Sequence, residues 1–343
     1  MNQEPQANSG LQPVSSAVIA SLSIADILLP ISDDMRAVDH VIRERLHSGV
    51  ALVETVADYI VSAGGKRLRP ALLLLMAGAL GYRGQHQHTM AAVIELIHTS
   101  TLLHDDVVDE SSLRRGRKTA NAAFGNAASV LVGDFLYSRA FQMMLGPDDM
   151  GVIRVLADAT NTIAEGEVLQ LMNCNDPDVA EAQYMQVVQY KTARLFEASA
   201  QIAALLAKAG GQLELACAAF GRHLGTAFQL IDDVLDYSGD AAEIGKNVGD
   251  DLREGKPTMP MIYLRDHGSA TQRKLVRDAI VDGDVRSIDA ITAALHDSGA
   301  LQYTRKRAQM EAAAAANCLA DISASNYKQS LILLCAFAVE RTA

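Results

Sequence analysis

Residues 98–109 read His98-Thr-Ser-Thr-Leu-Leu-His-Asp105-Asp106-Val-Val-Asp109, and the ending recurs later as Asp232-Asp233-Val-Leu-Asp236. In each copy the first and last Asp stand four apart, so on a helix their carboxylates share one face. Like charges at that spacing destabilise a bare helix by about 0.2–0.5 kcal/mol. Hard cations with oxygen ligands remove that cost, and Mg2+ prefers one or two carboxylates together with substrate phosphates. One such cluster reads equally well as a solvated helix end. Two copies, each led by an apolar pair (Leu102-Leu103 and Leu230-Ile231), read as carboxylates at the mouth of a buried pocket.

Around these clusters the chain is patterned for helix. Ala- and Leu-rich stretches run over 71–80, 90–104, 119–145, 152–172, 184–209, 213–236, 287–298, 304–320 and 329–341. Breaks fall at Gly64-Gly65, Gly81 to Gln87, Gly146-Pro147, Asp176-Pro177, Gly210-Gly211, Ser238 to Pro257 and Gly268-Ser269. Alternating β-branched runs between turn residues are scarce. With 5% aromatic residues and no Trp, the core must be built from Ala, Leu, Ile, Val and Met; of these the unbranched ones favour helix. The expectation is an all-α, single-domain helical bundle over 23–343. Residues 1–22, rich in Gln, Asn, Ser and Pro, read as a flexible tail.

The net charge of −11 argues against nucleic acid as a partner, because phosphate backbones need a basic footprint. Small anions remain possible where Lys and Arg concentrate locally or metal ions are recruited. Cys174, Cys217, Cys318 and Cys335 form no CxxC pair and read as reduced thiols of a cytoplasmic protein. The first basic residue is Arg36, so a positively charged signal-peptide start is missing. The longest apolar run, Ala71 to Leu80, is about half of a membrane span. A soluble protein without a transmembrane segment is expected.

The basic residues are grouped. Gly64-Gly65-Lys66-Arg67-Leu68-Arg69-Pro70 precedes an apolar helix. Pro favours a first helical turn, so Lys66 and Arg69 sit where a helix N-terminus already attracts anions. Arg114-Arg115 follows the first Asp cluster, and guanidinium forks suit phosphate oxygens. Lys246 and Lys256 bracket a polar loop beyond the second cluster and can cover a leaving anion. Lys191-Thr192 interrupts an apolar stretch, and a buried Lys without a partner is rare. His98 lies seven residues before Asp105, on nearly the same helix face.

Together these motifs resemble the trans-isoprenyl diphosphate synthase family over nearly the whole chain from about residue 24. The stretches Ile97 to Asp106, Thr119 to Asp134 and Gly166 to Met172 are similar to the bacterial octaprenyl branch, which serves ubiquinone synthesis. The resemblance implies an isoprenoid-synthase bundle around an elongated central cavity, and a homodimer. It implies that Asp105, Asp109, Asp232 and Asp236 hold Mg2+ bridged to an allylic diphosphate such as farnesyl diphosphate. Asp106 and Asp233 would support them. Arg114, Lys191 and Lys246 would contact the same diphosphate, with Thr192 and Gln229 nearby. Lys66, Arg69, His98 and Arg115 would take isopentenyl diphosphate. The family also uses a C-terminal basic residue near this second substrate, for which Arg341 is the candidate.

The implied reaction is ionisation, condensation and elimination, with cations stabilising the departing diphosphate. In the family an aromatic side chain four or five residues before the first Asp stops growth. Here those positions are Thr101 and Ser100, both small, so the tail can continue past Ile97, Ile94 and Val93. Rival readings are a shorter-chain geranylgeranyl-type synthase and a class I terpene cyclase, which needs neither the Lys66/Arg69 site nor a second full motif. A phosphohydrolase using His104-Asp105 would want more His at helical spacing. A non-catalytic partner subunit could lose its Asp clusters, but both are intact.

Overall fold

The computed structural model describes residues 23–114, 116–238, 249–283 and 285–341. The described chain is almost entirely helical. Its longer α-helices are α1 (Ser32–Arg45), α2 (Ala51–Ser62), α3 (Leu68–Ala79), α4 (His86–Val108), α5 (Asn126–Met143), α6 (Met150–Asn173), α7 (Glu181–Val187), α8 (Arg194–Leu206), α9 (Gly211–Ser238), α10 (Met259–His267), α11 (Ala270–Asp282), α12 (Ile288–Asp297), α13 (Ala300–Asn317) and α14 (Asn326–Glu340). The expected all-α class therefore stands. A two-stranded hairpin, β1 (Leu113–Arg114) with β2 (Arg117–Lys118), is the exception. Its strands are too short for any alternation signal to show in sequence.

Helix α3 is apolar on every side, and Ala71 to Ala77 are 0–2% exposed. A helix of that kind has to be surrounded, and α4, α8 and α14 pack around it. Each fully buried Leu here contributes about 1.5–3 kcal/mol of transfer free energy. Helix α9 is the long spine. It packs on α8, α13 and α14 and supplies side chains to all three buried apolar clusters. The close fit of α9 on its neighbours is set by Gly221 and Gly225, one turn apart. A Cβ at Gly225 would lie 2.7 Å from Ala193 Cα, and one at Gly221 would lie 2.3 Å from Phe196 O.

Between α7 and α8 the backbone winds as a π-helix, Val188–Ala193. Such segments are inserted turns that recur at functional positions. Gly166 on α6 lets this one approach, since a Cβ there would sit 2.8 Å from Lys191 N. The expected run over 184–209 is thus helical throughout, but not uniformly α. The run over 119–145 is also divided, by Gly125 at φ 87° between a short helix Ala120–Phe124 and α5.

Candidate active site

Helix α4 ends at the first Asp motif, with Asp109 as its C-cap. Helix α9 carries the second motif two turns before its end. The middle aspartates point inward: Asp106 is 0% exposed and Asp233 1%. Arg114 donates to Asp106 Oδ1 from Nε at 3.0 Å and from an Nη at 2.7 Å. The hairpin makes this possible by folding Arg114 back over the end of α4. Asn121 Nδ2 donates to the Asp106 carbonyl at 3.0 Å and closes the same corner. Burial pushes the Asp106 carboxyl up, and the Arg114 pairing opposes that push.

Asp233 has neutral partners instead. It accepts from Tyr184 Oη and from Gln229 Nε2, the latter at 2.9 Å. Gln229 Oε1 in turn accepts from Thr192 Oγ1 at 2.9 Å. Burial, and then the nearby Asp251, push the Asp233 carboxyl up to about 8. Thr192 and Gln229 therefore form a chain that orients Asp233.

Asp105, Asp109 and Asp232 meet cations. Lys191 Nζ lies 3.6 Å from Asp105 Oδ2 and 2.5 Å from Glu167 Oε2. Lys256 Nζ lies 2.9 Å from Asp109 Oδ2 and 2.5 Å from Glu254 Oε2. Arg341 pairs with Asp232 at 2.6 Å, stacks 3.8 Å from the Phe228 ring centroid and donates to the Phe228 carbonyl at 2.8 Å. Lys256 also feels Asp251, which in turn acts on Asp233, so the loop after α9 links the two motifs. That loop returns to α9 through Gly249 N, which donates to the Asp236 carbonyl at 3.1 Å.

The Gly64–Pro70 segment faces the same hollow. Arg69 Nη1 is 3.1 Å from His98 Nε2, and its guanidinium lies 4.5 Å from the Phe196 ring centroid. Burial lowers the Arg69 pKa to about 10, against the pull of Glu95 and Asp232. Its Nε is buried without a hydrogen-bond partner, a donor left over for an anion. Between Lys66 and Arg69, Arg67 takes a left-handed conformation at φ 45° and pairs with Asp39. Lys66 Nζ is 5.6 Å from the Phe337 ring. A cavity of about 30 Å³, room for one or two waters, lies beside this group and is lined by Arg67, His98, Asp106 and Arg114 among others. A larger groove of about 690 Å³ runs along α6, α8 and α9 and includes no residue of either motif.

The predicted residues are thus gathered around one site, apart from three groups. Arg115 and Lys246 lie outside the described residues. Ser100 is 0% exposed and donates to the Gly133 carbonyl of α5 at 2.7 Å, so it faces a helix seam. Thr101 is half-buried and bonds back to the His98 carbonyl at 2.8 Å. Val93, Ile94 and Ile97 are 0% exposed, with no water-sized void against them. Arg341, assigned by resemblance to the second substrate, is instead paired with Asp232 of the second motif. Sequence reasoning missed Glu167, Glu254, Asp251 and Tyr184 as members of the site. Only Glu254, two residues before Lys256, stood beside a candidate in sequence; the others join the site through tertiary contacts.

The donors fit a hard divalent ion. All four outer groups offer carboxylate oxygen. Among the described residues no three His, Cys, Asp or Glu converge enough to cage an ion alone. An ion here must complete its shell with phosphate oxygens and water, which is the habit of Mg2+.

An all-α bundle with two facing aspartate motifs and a separate basic anion pocket defines a class that binds diphosphates through metal ions. The chain belongs to the polyprenyl synthetase family, whose model matches residues 50–297. It is 52% identical over 311 residues to the octaprenyl diphosphate synthase of Escherichia coli, covering 90% of this chain and 96% of that one. The octaprenyl diphosphate synthase of Haemophilus influenzae is 50% identical over 321 residues, covering 93% and 98%. A polyprenyl synthase from Caulobacter crescentus, solved with calcium and isoprenyl diphosphate, superposes with a TM-score of 0.90 at 40% identity, covering 94% and 98%.

Proposed function

We propose that this chain is a Mg2+-dependent octaprenyl diphosphate synthase, extending farnesyl diphosphate with isopentenyl diphosphate for a quinone side chain. The observation that carries this is that Asp105 and Asp109 meet Lys191 and Lys256, while Asp232 of the second motif meets Arg341 and acts on the Arg69–His98 pair. Mg2+ on Asp105, Asp109, Asp232 and Asp236 would supply Lewis-acid neutralisation of the allylic diphosphate. Lys191 and Lys256 lie beside those carboxylates and would hold the departing diphosphate oxygens. Lys66, Arg69 and His98 would hold isopentenyl diphosphate without metal, with Arg115 assigned to the same substrate by resemblance. Asp106 and Asp233 keep the outer aspartates aimed, through Arg114 on one helix and the Thr192–Gln229 chain with Tyr184 on the other. The apolar walls exclude water, which would quench an allylic cation.

A homodimer suits the exposed apolar side chains of α5 and α6, where Leu131, Leu171 and Met172 are more than 60% exposed. Among the described residues no helix is long and apolar enough to cross a membrane, in keeping with a cytoplasmic enzyme. Because Ser100 faces α5, Phe at 100 would wedge two helices apart, so Thr101 is the better first stop. We assign shortened products to Thr101→Phe.

Purified protein incubated with farnesyl diphosphate, labelled isopentenyl diphosphate and Mg2+ should give a ladder ending at a long chain on chromatography. Failure to incorporate label sinks the reading. A ladder ending at the geranylgeranyl product would place the chain among the shorter synthases.

A further inference from the structure

The reaction scheme leaves two half-buried carboxylates, Glu167 and Glu254, without a part. Each lies 2.5 Å from a lysine that also touches an outer aspartate of the first motif. The arrangement is built twice from different parts. Glu167 comes from α6 and meets Lys191 of the π-helix. Glu254 and Lys256 come from one loop, and that loop is tied to the end of α6 by Asn175 N donating to the Gly255 carbonyl at 2.8 Å. All four lysine and glutamate side chains are well covered, at 15–31% exposure.

We propose that Glu167 and Glu254 are positioning residues that act as tethers, each letting its lysine leave a metal-binding aspartate without losing its counter-ion. This inference rests on the site being a metal–diphosphate centre. An ammonium on Asp105 or Asp109 competes with any divalent cation arriving there, and in a covered site that competition is strong. A lysine with the aspartate as its sole partner would either block the ion or be displaced as an unpaired buried charge, which is costly. A second carboxylate removes the dilemma. The ammonium shifts toward its glutamate and stays at the edge of the site, free to meet diphosphate oxygens. When the diphosphate leaves, the same glutamate keeps the lysine in place for the next cycle.

The test is direct Mn2+ binding to the purified protein, followed by electron paramagnetic resonance in the presence of inorganic pyrophosphate. Glu167→Gln should weaken Mn2+ binding by about tenfold, within the usual range of coupling between contacting groups. In a Lys191→Met background the same substitution should change binding by less than about twofold. Glu254→Gln should behave likewise with and without Lys256→Met. Glu167→Asp should recover part of the loss, and steady-state kinetics should show a raised KM for the metal–diphosphate with a smaller change in kcat. A glutamate that merely adds negative field would weaken binding equally in both backgrounds, and that result overturns the tether. So does unchanged binding in Glu167→Gln and Glu254→Gln. Binding is read without turnover, so a failed prenyl-transfer assay of the parent protein would count against the proposed reaction and leave this cycle to be judged on its own.

Discussion

The two aspartate motifs share one pattern, yet their middle residues are secured by opposite chemistry. Asp106 sits at a helix end and is held by a guanidinium that the hairpin folds over it. Asp233 sits inside a helix and is held by a phenol and an amide. The first anchor is an ion pair and depends on the order of residues beyond the helix. The second is a carboxyl held by uncharged donors, its pKa pushed up by burial, and depends only on helices packed together. Identical letters therefore do not mean identical sensitivity. In both motifs the outer carboxylates stay partly exposed, and the buried middle one ties the helix to its support.

Function should not distinguish the motifs at their outer positions. Asp105→Asn and Asp232→Asn are each expected to lower kcat by about 10²–10³-fold, the scale of losing one preorganised electrostatic group. Steady-state rates at saturating substrate check this, and a loss confined to one motif would break the symmetry. Stability should distinguish the middle positions. Asp106→Asn leaves the Arg114 charge without its partner, at a cost of about 3 kcal/mol. That is the low end for a broken buried pair, since the Arg114 side chain keeps 23% exposure. Urea unfolding measures it, and a cost under about 1 kcal/mol would mean the ion pair is only a surface one.

The second anchor also depends on how closely α9 lies against the π-helix that carries Thr192. Gly225→Ala puts a methyl 2.7 Å from Ala193 Cα, a backbone atom that cannot swing aside. Overpacking of this kind costs about 1–3 kcal/mol. The variant should unfold at lower urea and lose activity through displaced Lys191 and Thr192. Unchanged stability would show that α9 can shift without cost.

The helices and both motifs were legible in the sequence because they rest on local rules. A continuous apolar run marks α3, apolar periodicity marks α4 and α9, and the four-residue spacing of Asp105 and Asp109 places them on one face. Gly64-Gly65 and Gly210-Gly211 mark real breaks for the same reason. The tethers were not legible. Glu167 meets Lys191 only because Gly166 admits the π-helix, and a π-turn leaves no local pattern to read. The contact of Ser100 with Gly133 was not legible either, because counting back from Asp105 fixes a helical angle but not which neighbour occupies it. Arg341 closes on Asp232 through the docking of α14, a contact between residues 109 positions apart in sequence (341 less 232) that no spacing rule reaches.

The mildest change should be Asp233→Asn. Burial and Asp251 raise this carboxyl to about 8, which favours its neutral form, and an amide is close to isosteric with that form. Asn Oδ1 can accept from Gln229 Nε2, which leaves Gln229 Oε1 with Thr192 as before. Asn Nδ2 can donate to Tyr184 Oη, because a phenol oxygen accepts as readily as it donates. The exchange turns Tyr184 Oη from donor to acceptor and leaves its O–H without an acceptor, so the cost should be about 1 kcal/mol. Asp233→Ala removes both acceptors and strands the Tyr184 hydroxyl and the Gln229 amide, at about 1–3 kcal/mol. Urea unfolding should therefore rank parent, Asn, then Ala at position 233, with Asn close to the parent. At position 106 the Asn variant should already fall far from the parent. If Asn and Ala were equally damaging at 233, the residue would be acting as a charge, and the contrast between the two anchors would be wrong.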